Sequence, residues 1–309
     1  MEKIKITKED LKAPTLDTDG TAIVFQRHEK YDRRIDSETS GSLTPESAQE
    51  AYDTAEEFFT DLFEQGNAYD TMILFTSSDT QYNNNGHRSI ETADQAQRAA
   101  IDALLAANLN PNEHIINLNP NFKTKRFKTT DSTIRPMKSI REPQIFDQSP
   151  DYVAHLQEKY GAAEEIEGLD GEMRRVGLTP KAFDAHESDR EKEKREELGA
   201  EGVYDILDRT KKGINLQERY AEWFHTTNPG KRLVIWSASH YDTISPFVKD
   251  ATETPFTEFV PVDYGAGIVI SIPPRSKETT VEINKQTIAL KKRVSPSLGK
   301  SSLSRTIAS

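Results

Sequence analysis

The chain has 309 residues, a formal net charge of -11 and no cysteine, which argues against generic nucleic-acid binding and excludes disulfides, thiol catalysis and Cys-ligated zinc. Only 35% of residues are apolar and the mean hydropathy is -0.72, so long polar insertions or tails must dilute an ordinary core. No apolar run approaches the roughly 18 residues a membrane span needs, and Met1 to Asp10 lacks an apolar signal core, so a soluble, cytoplasmic protein is expected.

Residues 1–19 are charged and form a lead-in, with a short edge strand expected at Ile4 to Ile6. Thr21-Ala22-Ile23-Val24-Phe25-Gln26 is an apolar, partly β-branched run that reads as a buried strand. It ends abruptly in Arg27 and His28. After a polar loop, Leu43-Thr44-Pro45-Glu46 opens a helix, with Thr44 suited to the N-cap, Pro45 to the first position and Glu46 to the first turn. Ala48, Ala51, Tyr52, Ala55, Phe58, Phe59 and Leu62 keep helical spacing, and Gly66 suits the end. The second strand, Thr71 to Thr76, runs into Ser77 and Ser78 and then a loop rich in asparagine. Arg88 opens a second helix that continues through Ile101, Leu104 and Leu105, and a third strand is expected at His114 to Leu118. Alternating strands and helices predict a parallel sheet.

Beyond Asn121 the pattern weakens. Phe122 to Lys128 interleaves aromatic and basic residues, which suits a solvated hairpin or a contact with an anionic substrate. Ile140-Arg141-Glu142-Pro143 follows, then a short helix at Tyr152 to Tyr160. Residues 164–200 are dominated by charge. Ser188 to Glu197 reads as a solvated helix laced with i,i+4 pairs, placed in a cap over the sheet edge. Val203, Ile206, Leu207, Ile214, Leu216, Tyr220, Trp223 and Phe224 restore an amphipathic helix, which Asn228-Pro229-Gly230 breaks. Arg232 to Ser239 is another strand, ending in His240, and Thr243 to Lys249 can start a helix. Phe259 to Val262 and Gly267 to Ile272 read as a closing hairpin at the sheet edge, with a further pair at Thr280 to Ile283 and Thr287 to Leu290. The basic, Ser-rich residues 291–309 are expected to be disordered.

The predicted architecture is a three-layer αβα fold, a mostly parallel doubly wound sheet with a charged helical cap. One domain spans 20–290, with insertions at about 121–200. In such a sheet, ligands sit outside the carboxyl ends of the strands. Three strands here end in residues suited to phosphate: Arg27 and His28, then Ser77, Ser78 and after a loop Arg88, and finally His240. Two arginines at one rim could hold a phosphate dianion bidentately, with imidazoles above it. That set suits phosphoryl transfer, where catalysis is mostly positioning and charge stabilisation.

These segments resemble the histidine phosphatase superfamily, the phosphoglycerate mutase-like fold. Phe25-Gln26-Arg27-His28-Glu29 is similar to its Arg-His-Gly signature, and Gly41-Ser-Leu-Thr-Pro-Glu46 to its Gly-Leu-Thr helix start. Ser77-Ser78 with Arg88-Ser-Ile-Glu-Thr-Ala93 resembles its Ser-Ser-Pro-x-x-Arg-x-x-x-Thr-Ala segment, and Trp236-Ser-Ala-Ser-His240 its Ser-His-Gly strand end. The resemblance implies that His28 attacks a phosphoryl group and becomes phosphohistidine. It implies that Arg27 and Arg88 bind the phosphate oxygens and that His240 donates to them. A carboxyl would protonate the leaving alcohol and then activate water. Glu142 is the favoured carboxyl and Asp242, two residues beyond His240, the alternative. No cofactor or metal is implied.

The chain departs from the family at three places. Glu29 stands where the signature has Gly, which is expected to set a negative charge beside the phosphate, with Lys30, Arg33 or Arg34 available to offset it. Tyr241 replaces the Gly after the second histidine, and the loop from Asp79 to His87 is longer than the pattern. Three functions follow: a phosphomonoester hydrolase acting on a small phosphorylated metabolite, a mutase, or an inactive relative that binds a phosphorylated ligand. His87, beside Arg88, suits a solvated loop histidine or one that reaches the pocket, and His114, His155, His186 and His225 show no metal spacing. Gly299-Lys300-Ser301 lacks the rest of a Walker loop, and Gly265-Ala-Gly267 the rest of a dinucleotide fingerprint.

Overall fold

The computed structural model describes residues 4–32, 39–79, 87–117, 133–143, 145–167, 173–274 and 278–290. In chain order the elements are β1 (Thr21–Arg27), α1 (Pro45–Leu62), β2 (Thr71–Ser78), α2 (Arg88–Ala106), α3 (Pro111–His114), β3 (Arg135–Met137), α4 (Ile145–Gln148), α5 (Pro150–Tyr160), β4 (Glu164–Glu167) and β5 (Met173–Val176). They continue with α6 (Pro180–Glu187), α7 (Lys192–Glu197), α8 (Val203–Thr227), β6 (Arg232–Ser239), α9 (Tyr241–Ala251), β7 (Gly267–Ile272), β8 (Thr280–Ile283) and β9 (Gln286–Ala289).

Seven strands form the main sheet in the order β3-β2-β6-β1-β7-β8-β9. The first four are mutually parallel, and β7, β8 and β9 add antiparallel strands on one side. Successive residues of a strand point to opposite faces. Ile23 and Phe25 therefore pack with α8 and α9 on one face, while Ala22 and Val24 pack with α1 and α2 on the other. The indole of Trp236 lies 5.2 Å from the ring of Phe58 and 5.4 Å from that of Phe59. Burying each such side chain contributes about 1.5–3 kcal/mol. The Trp236 indole N–H donates to Gln26 Oε1 at 3.0 Å, so no buried donor is lost there.

Helix α1 starts where its capping residues place it. Thr44 Oγ1 accepts the Ser47 amide at 3.3 Å, a cap worth about 1 kcal/mol. The chain turns out of the helix at Gly66, whose φ of 80° suits glycine.

The structure corrects several sequence expectations. Residues His114 to Leu118 do not form the third strand. His114 ends α3, Ile115 makes a single parallel bridge to Ile73, and Leu118 lies outside the described residues. Asn110 and Pro111 start a helical turn there, with Asn110 Oδ1 capping the Asn112 amide at 3.2 Å. The third parallel strand is β3. Phe259 to Val262 is not a hairpin partner of β7, since Val262 makes one bridge to Ile6 and β7 is an interior strand between β1 and β8. Ser188 to Glu197 is not a wholly solvated helix: only Lys192–Glu197 is helical, and Glu191 and Arg195 are buried.

Helices α4 to α7 and the β4–β5 hairpin make the cap, around a small core of Ile145, Tyr152, Leu156, Leu178, Ala182, Ala185 and Ala200. The charged lead-in is packed too, with Ile6, Leu11 and Leu16 buried. The expected hairpin at 122–128, the asparagine loop at 83–86 and the basic tail at 291–309 lie outside the described residues. Among the described residues no helix is long and apolar enough to cross a membrane.

Candidate active site

Strand register assembles the site before any side chain is considered. Strands β1 and β6 are parallel, with Arg27 paired to Ser239, so the residues that follow, His28 and His240, leave the sheet side by side. Their ring centroids are 5.0 Å apart. Strand β2 flanks β6 on its other side, with Ser77 opposite Ala238. It delivers Ser78, and α2 delivers Arg88 as its first residue. The N-terminus of α9 follows His240 directly, so the amino ends of two long helices open at this rim.

His28 is 4% exposed. Its Nδ1 lies 2.7 Å from the carbonyl oxygen of Glu29. A carbonyl only accepts, so Nδ1 carries the proton and Nε2 holds the lone pair. Arg88 Nε donates to that Nε2 at 3.1 Å. Burial, then Arg88, His240 and Arg27, hold the imidazole well below its ordinary pKa. At neutral pH, His28 is therefore uncharged, with its lone pair on Nε2. His240 is 1% exposed and likewise held well below its ordinary pKa, by burial first and then by Arg88, Arg209, Arg27 and Arg141. Its Nε2 meets Ser78 Oγ at 2.9 Å and Ser89 Oγ at 3.2 Å, while its Nδ1 is buried without a hydrogen-bond partner, 3.8 Å from Glu142 Oε2.

Each arginine lies over a tyrosine ring. The guanidinium carbon of Arg27 is 3.7 Å from the Tyr264 centroid, and that of Arg88 is 4.3 Å from the Tyr31 centroid. Arg27 donates to the Val262 carbonyl, and its Nε is buried without a hydrogen-bond partner. Arg88 also pairs with Glu142.

Two carboxyls stand here in different states. Glu142 is the partner of Arg88, on a loop that α8 clamps: Arg209 donates to the carbonyls of Ser139, Arg141 and Glu142 at 3.1, 2.7 and 3.1 Å. The close approach needs a glycine on the helix, since a Cβ on Gly213 would lie 2.5 Å from Ser139 Oγ. Asp242 is 8% exposed, and its pKa is pushed up to about 7 by burial, then by Glu142 and Glu187, with Arg27 opposing. Its Oδ1 has no hydrogen-bond partner. The sequence-predicted residues Arg27, His28, Arg88, Glu142, His240 and Asp242 thus converge on one rim.

No family model matches the chain, and no curated protein matches it. Solved structures do. The multiple inositol polyphosphate phosphatase of Bifidobacterium longum, in complex with inositol hexasulfate, superposes with a TM-score of 0.51 at 9% identity, covering 92% of this chain and 91% of that one. Its apo form gives 0.50 at 9% identity, over 97% and 93%. A phosphoglycerate mutase from Bacillus anthracis gives 0.43 at 14% identity, over 83% and 90%. This is the histidine phosphatase fold. At these identities the likeness is one of fold, and the chemistry has to be argued from the residues of this chain.

Within the histidine phosphatase fold, two departures turn out differently from expectation. The Glu29 carboxylate does not face the guanidiniums. It is fully buried against Gly265 and ion-paired with Lys8 from the lead-in. Lys8, not Lys30, offsets it, and Arg33 and Arg34 lie outside the described residues. Tyr241 reaches the cap, its hydroxyl donating to Glu187 Oε2 at 2.8 Å, where Lys249 Nζ arrives at 3.1 Å. The sequence reading missed Arg209, Ser89, Tyr31 and Tyr264. Arg209 alone left a local trace, as a cation one residue before Thr210 on the buried side of α8. Four of the remaining histidines have ring partners away from the rim: His114 Nδ1 at the Thr71 carbonyl (2.8 Å), His155 at Glu191 (2.8 Å), His186 at the Tyr152 hydroxyl (3.5 Å) and His225 at Thr21 Oγ1 (2.7 Å); His87 stands at the N-cap of α2, its amide donating to Glu91 Oε1 at 3.3 Å.

Proposed function

We propose that this protein is a phosphomonoester hydrolase that works through a phosphohistidine on His28, with a small phosphorylated metabolite as substrate. The observation that carries the reading is the tautomer: Nδ1 is committed to the Glu29 carbonyl, leaving a neutral Nε2 lone pair that faces the Arg88 guanidinium, with Arg27 near enough to act on the ring. The phosphoryl oxygens bind Arg27 and Arg88, and Nε2 attacks phosphorus in line. The P–N bond forms as the ester P–O bond breaks. Phosphate dianion beside His240 favours its protonated form, which then donates to an equatorial oxygen.

The leaving alkoxide needs a proton. Sequence spacing favours Glu142 as its source, but the surroundings of the two carboxyls favour Asp242. Glu142 is already paired with Arg88, whereas Asp242 keeps its proton up to about pH 7. Once ionised, the donor takes a proton from water, the hydroxide attacks the phosphohistidine, the P–N bond breaks and inorganic phosphate leaves. Glu142 then serves to hold Arg88. Of the three departures behind the inactive-relative reading, the one at Glu29 weighs less, since its carboxylate is paired with Lys8.

The test is hydrolysis of p-nitrophenyl phosphate in the presence of a chelator, with acid-quenched samples probed for acid-labile phosphate on His28. Turnover that vanishes in His28→Ala together with a trapped phosphohistidine supports the reading. Turnover unchanged in His28→Ala overturns it. The mutase reading requires stimulation by a bisphosphorylated primer.

A further inference from the structure

Glu29 follows His28 directly and is fully buried, an unusual place for a carboxylate beside a site meant for anions. Its surroundings explain it. The side chain ion-pairs with Lys8, which also reaches Glu50 Oε2 at 3.0 Å. Gly265, at φ 70°, leaves the space, because a Cβ there would collide with Glu29 Oε1. The main chain of Glu29 is held as well. Its amide donates to Thr92 Oγ1 at 3.2 Å, and Thr92 Oγ1 donates to the Arg88 carbonyl at 2.8 Å. The remaining main-chain group is the carbonyl that accepts from His28 Nδ1 at 2.7 Å.

Lys8 is itself anchored, in a helical turn that follows Ile6. The Ile6 amide donates to the Pro261 carbonyl at 2.9 Å, and the Asp263 amide returns to the Ile6 carbonyl at 3.0 Å. The lead-in is thereby fastened to the loop that also supplies Tyr264 and Gly265.

We infer that Lys8 and Glu29 are positioning residues for the nucleophile: the ion pair of the half-buried Lys8 with the buried Glu29 orients the Glu29 peptide so that its carbonyl keeps the proton on His28 Nδ1 and the lone pair on Nε2. This rests on the hydrolase reading only for its kinetic consequence, since the tautomer can be observed without turnover. The charged lead-in then acts as a strut, and Glu29 replaces a small residue with an anchored one.

The experiment combines turnover of p-nitrophenyl phosphate with 15N NMR of the histidine rings in Lys8→Met, Lys8→Arg, Glu29→Gln and the double variant Lys8→Met/Glu29→Gly. In Lys8→Met the orphaned carboxylate is expected to shift the peptide, lowering kcat about tenfold with KM within about twofold. The His28 signals should lose their single Nδ1–H pattern. Lys8→Arg should restore both, whereas the double variant, which lacks the whole ion pair, should stay as impaired as Lys8→Met. Glu29→Gln supplies the same reading if Lys8→Met fails to fold. Lys8→Met with an unchanged tautomer and unchanged kcat overturns the inference, as does a double variant that regains the wild-type tautomer and kcat. A wild-type protein inert towards phosphate esters, but with a tautomer that depends on Lys8, overturns the hydrolase reading and upholds this one.

Discussion

The rim of the sheet and the cap both bury charge, and they treat it in opposite ways. In the cap, Glu191 accepts from His155, Lys159 and Tyr160, and Arg195 pairs with Asp189 and donates to the Ala200 carbonyl. Each charge there meets its opposite. At the rim, two guanidiniums and two imidazoles crowd together, two carboxyls repel one another, and Arg27 Nε, His240 Nδ1 and Asp242 Oδ1 are buried without hydrogen-bond partners. A buried polar group left unpaired costs about 1–3 kcal/mol. Paired charges hold the cap in shape; at the rim Arg88 has Glu142, but like charges still crowd and buried polar atoms go without hydrogen bonds, the kind of local conflict that collects at functional sites.

The largest expected effect separates the two regions. Arg88→Met removes the donor to His28 Nε2 and the partner of Glu142, and kcat/KM should fall about 10³-fold. Arg195→Met in the cap should leave kcat within about twofold while lowering unfolding free energy by about 1–3 kcal/mol, because the partly buried Asp189 loses its partner and the Ala200 carbonyl a donor. Steady-state kinetics and denaturant titration of both variants check the contrast. Equal losses of turnover would dissolve it.

The two rim carboxyls give the next effect. Asp242→Asn should lower turnover of alkyl phosphates about 10²-fold but spare p-nitrophenyl phosphate, whose leaving group needs little protonation. Glu142→Gln should weaken both substrates alike. In the wild type, activity on alkyl esters should fall above about pH 7 as Asp242 ionises. Stability carries the same sign. The folded state holds this proton more tightly than the unfolded chain, so stability drops as pH rises from 3.8 to about 7, by roughly 4 kcal/mol. Asp242→Asn should abolish that drop in melts run across the window.

Much of the rim was legible in the chain because its signals are local. Three apolar runs each stop at a polar pair, and parallel pairing then aligns their ends without further information, as the Arg27–Ser239 register shows. What escaped depends on distance in sequence. Nothing near Glu29 announces Lys8, and nothing near Glu142 announces Arg209, because both contacts are made by folding. Tyr264 lies in a loop whose apolar neighbours imitate a strand, so its place over Arg27 was hidden as well. At His114 the apolar run was real, but Asn110 and Pro111 imposed a helical turn where periodicity suggested a strand.

A smaller effect, on stability alone, belongs to Glu191. Burial pushes its carboxyl up, yet bonds from Lys159, Tyr160 and His155 together outweigh burial and hold it at about 2. Its folded pKa is lowered, so its stabilisation is complete above the ordinary value of 4.5 and is lost as pH falls towards 2. Glu191→Gln should cost about 1–2 kcal/mol at pH 7, with the gap closing below pH 4, and leave kcat unchanged.

A change that should barely touch turnover is also the sharpest test of what marks a site. His186 in the cap shares one trait with the rim imidazoles: it is 1% exposed, and its Nε2 is buried without a hydrogen-bond partner. Burial, with help from Arg195 and against Asp189, lowers its pKa to about 4. It differs in company, with Tyr152 beside it where the rim histidines have guanidiniums and each other. If convergence marks the chemistry, His186→Leu should leave kcat within about twofold at pH 8. Its effect should be confined to acid stability. Between pH 6.5 and about 4 the unfolded chain binds a proton that the folded chain refuses, so the wild type loses stability as pH falls, about 2 kcal/mol by pH 5. His186→Leu should lack that loss in melts at pH 5 and pH 8. A fall in turnover approaching that of Arg88→Met would mean that an unpartnered buried nitrogen is enough to mark function, and the distinction between rim and cap would have to be drawn elsewhere.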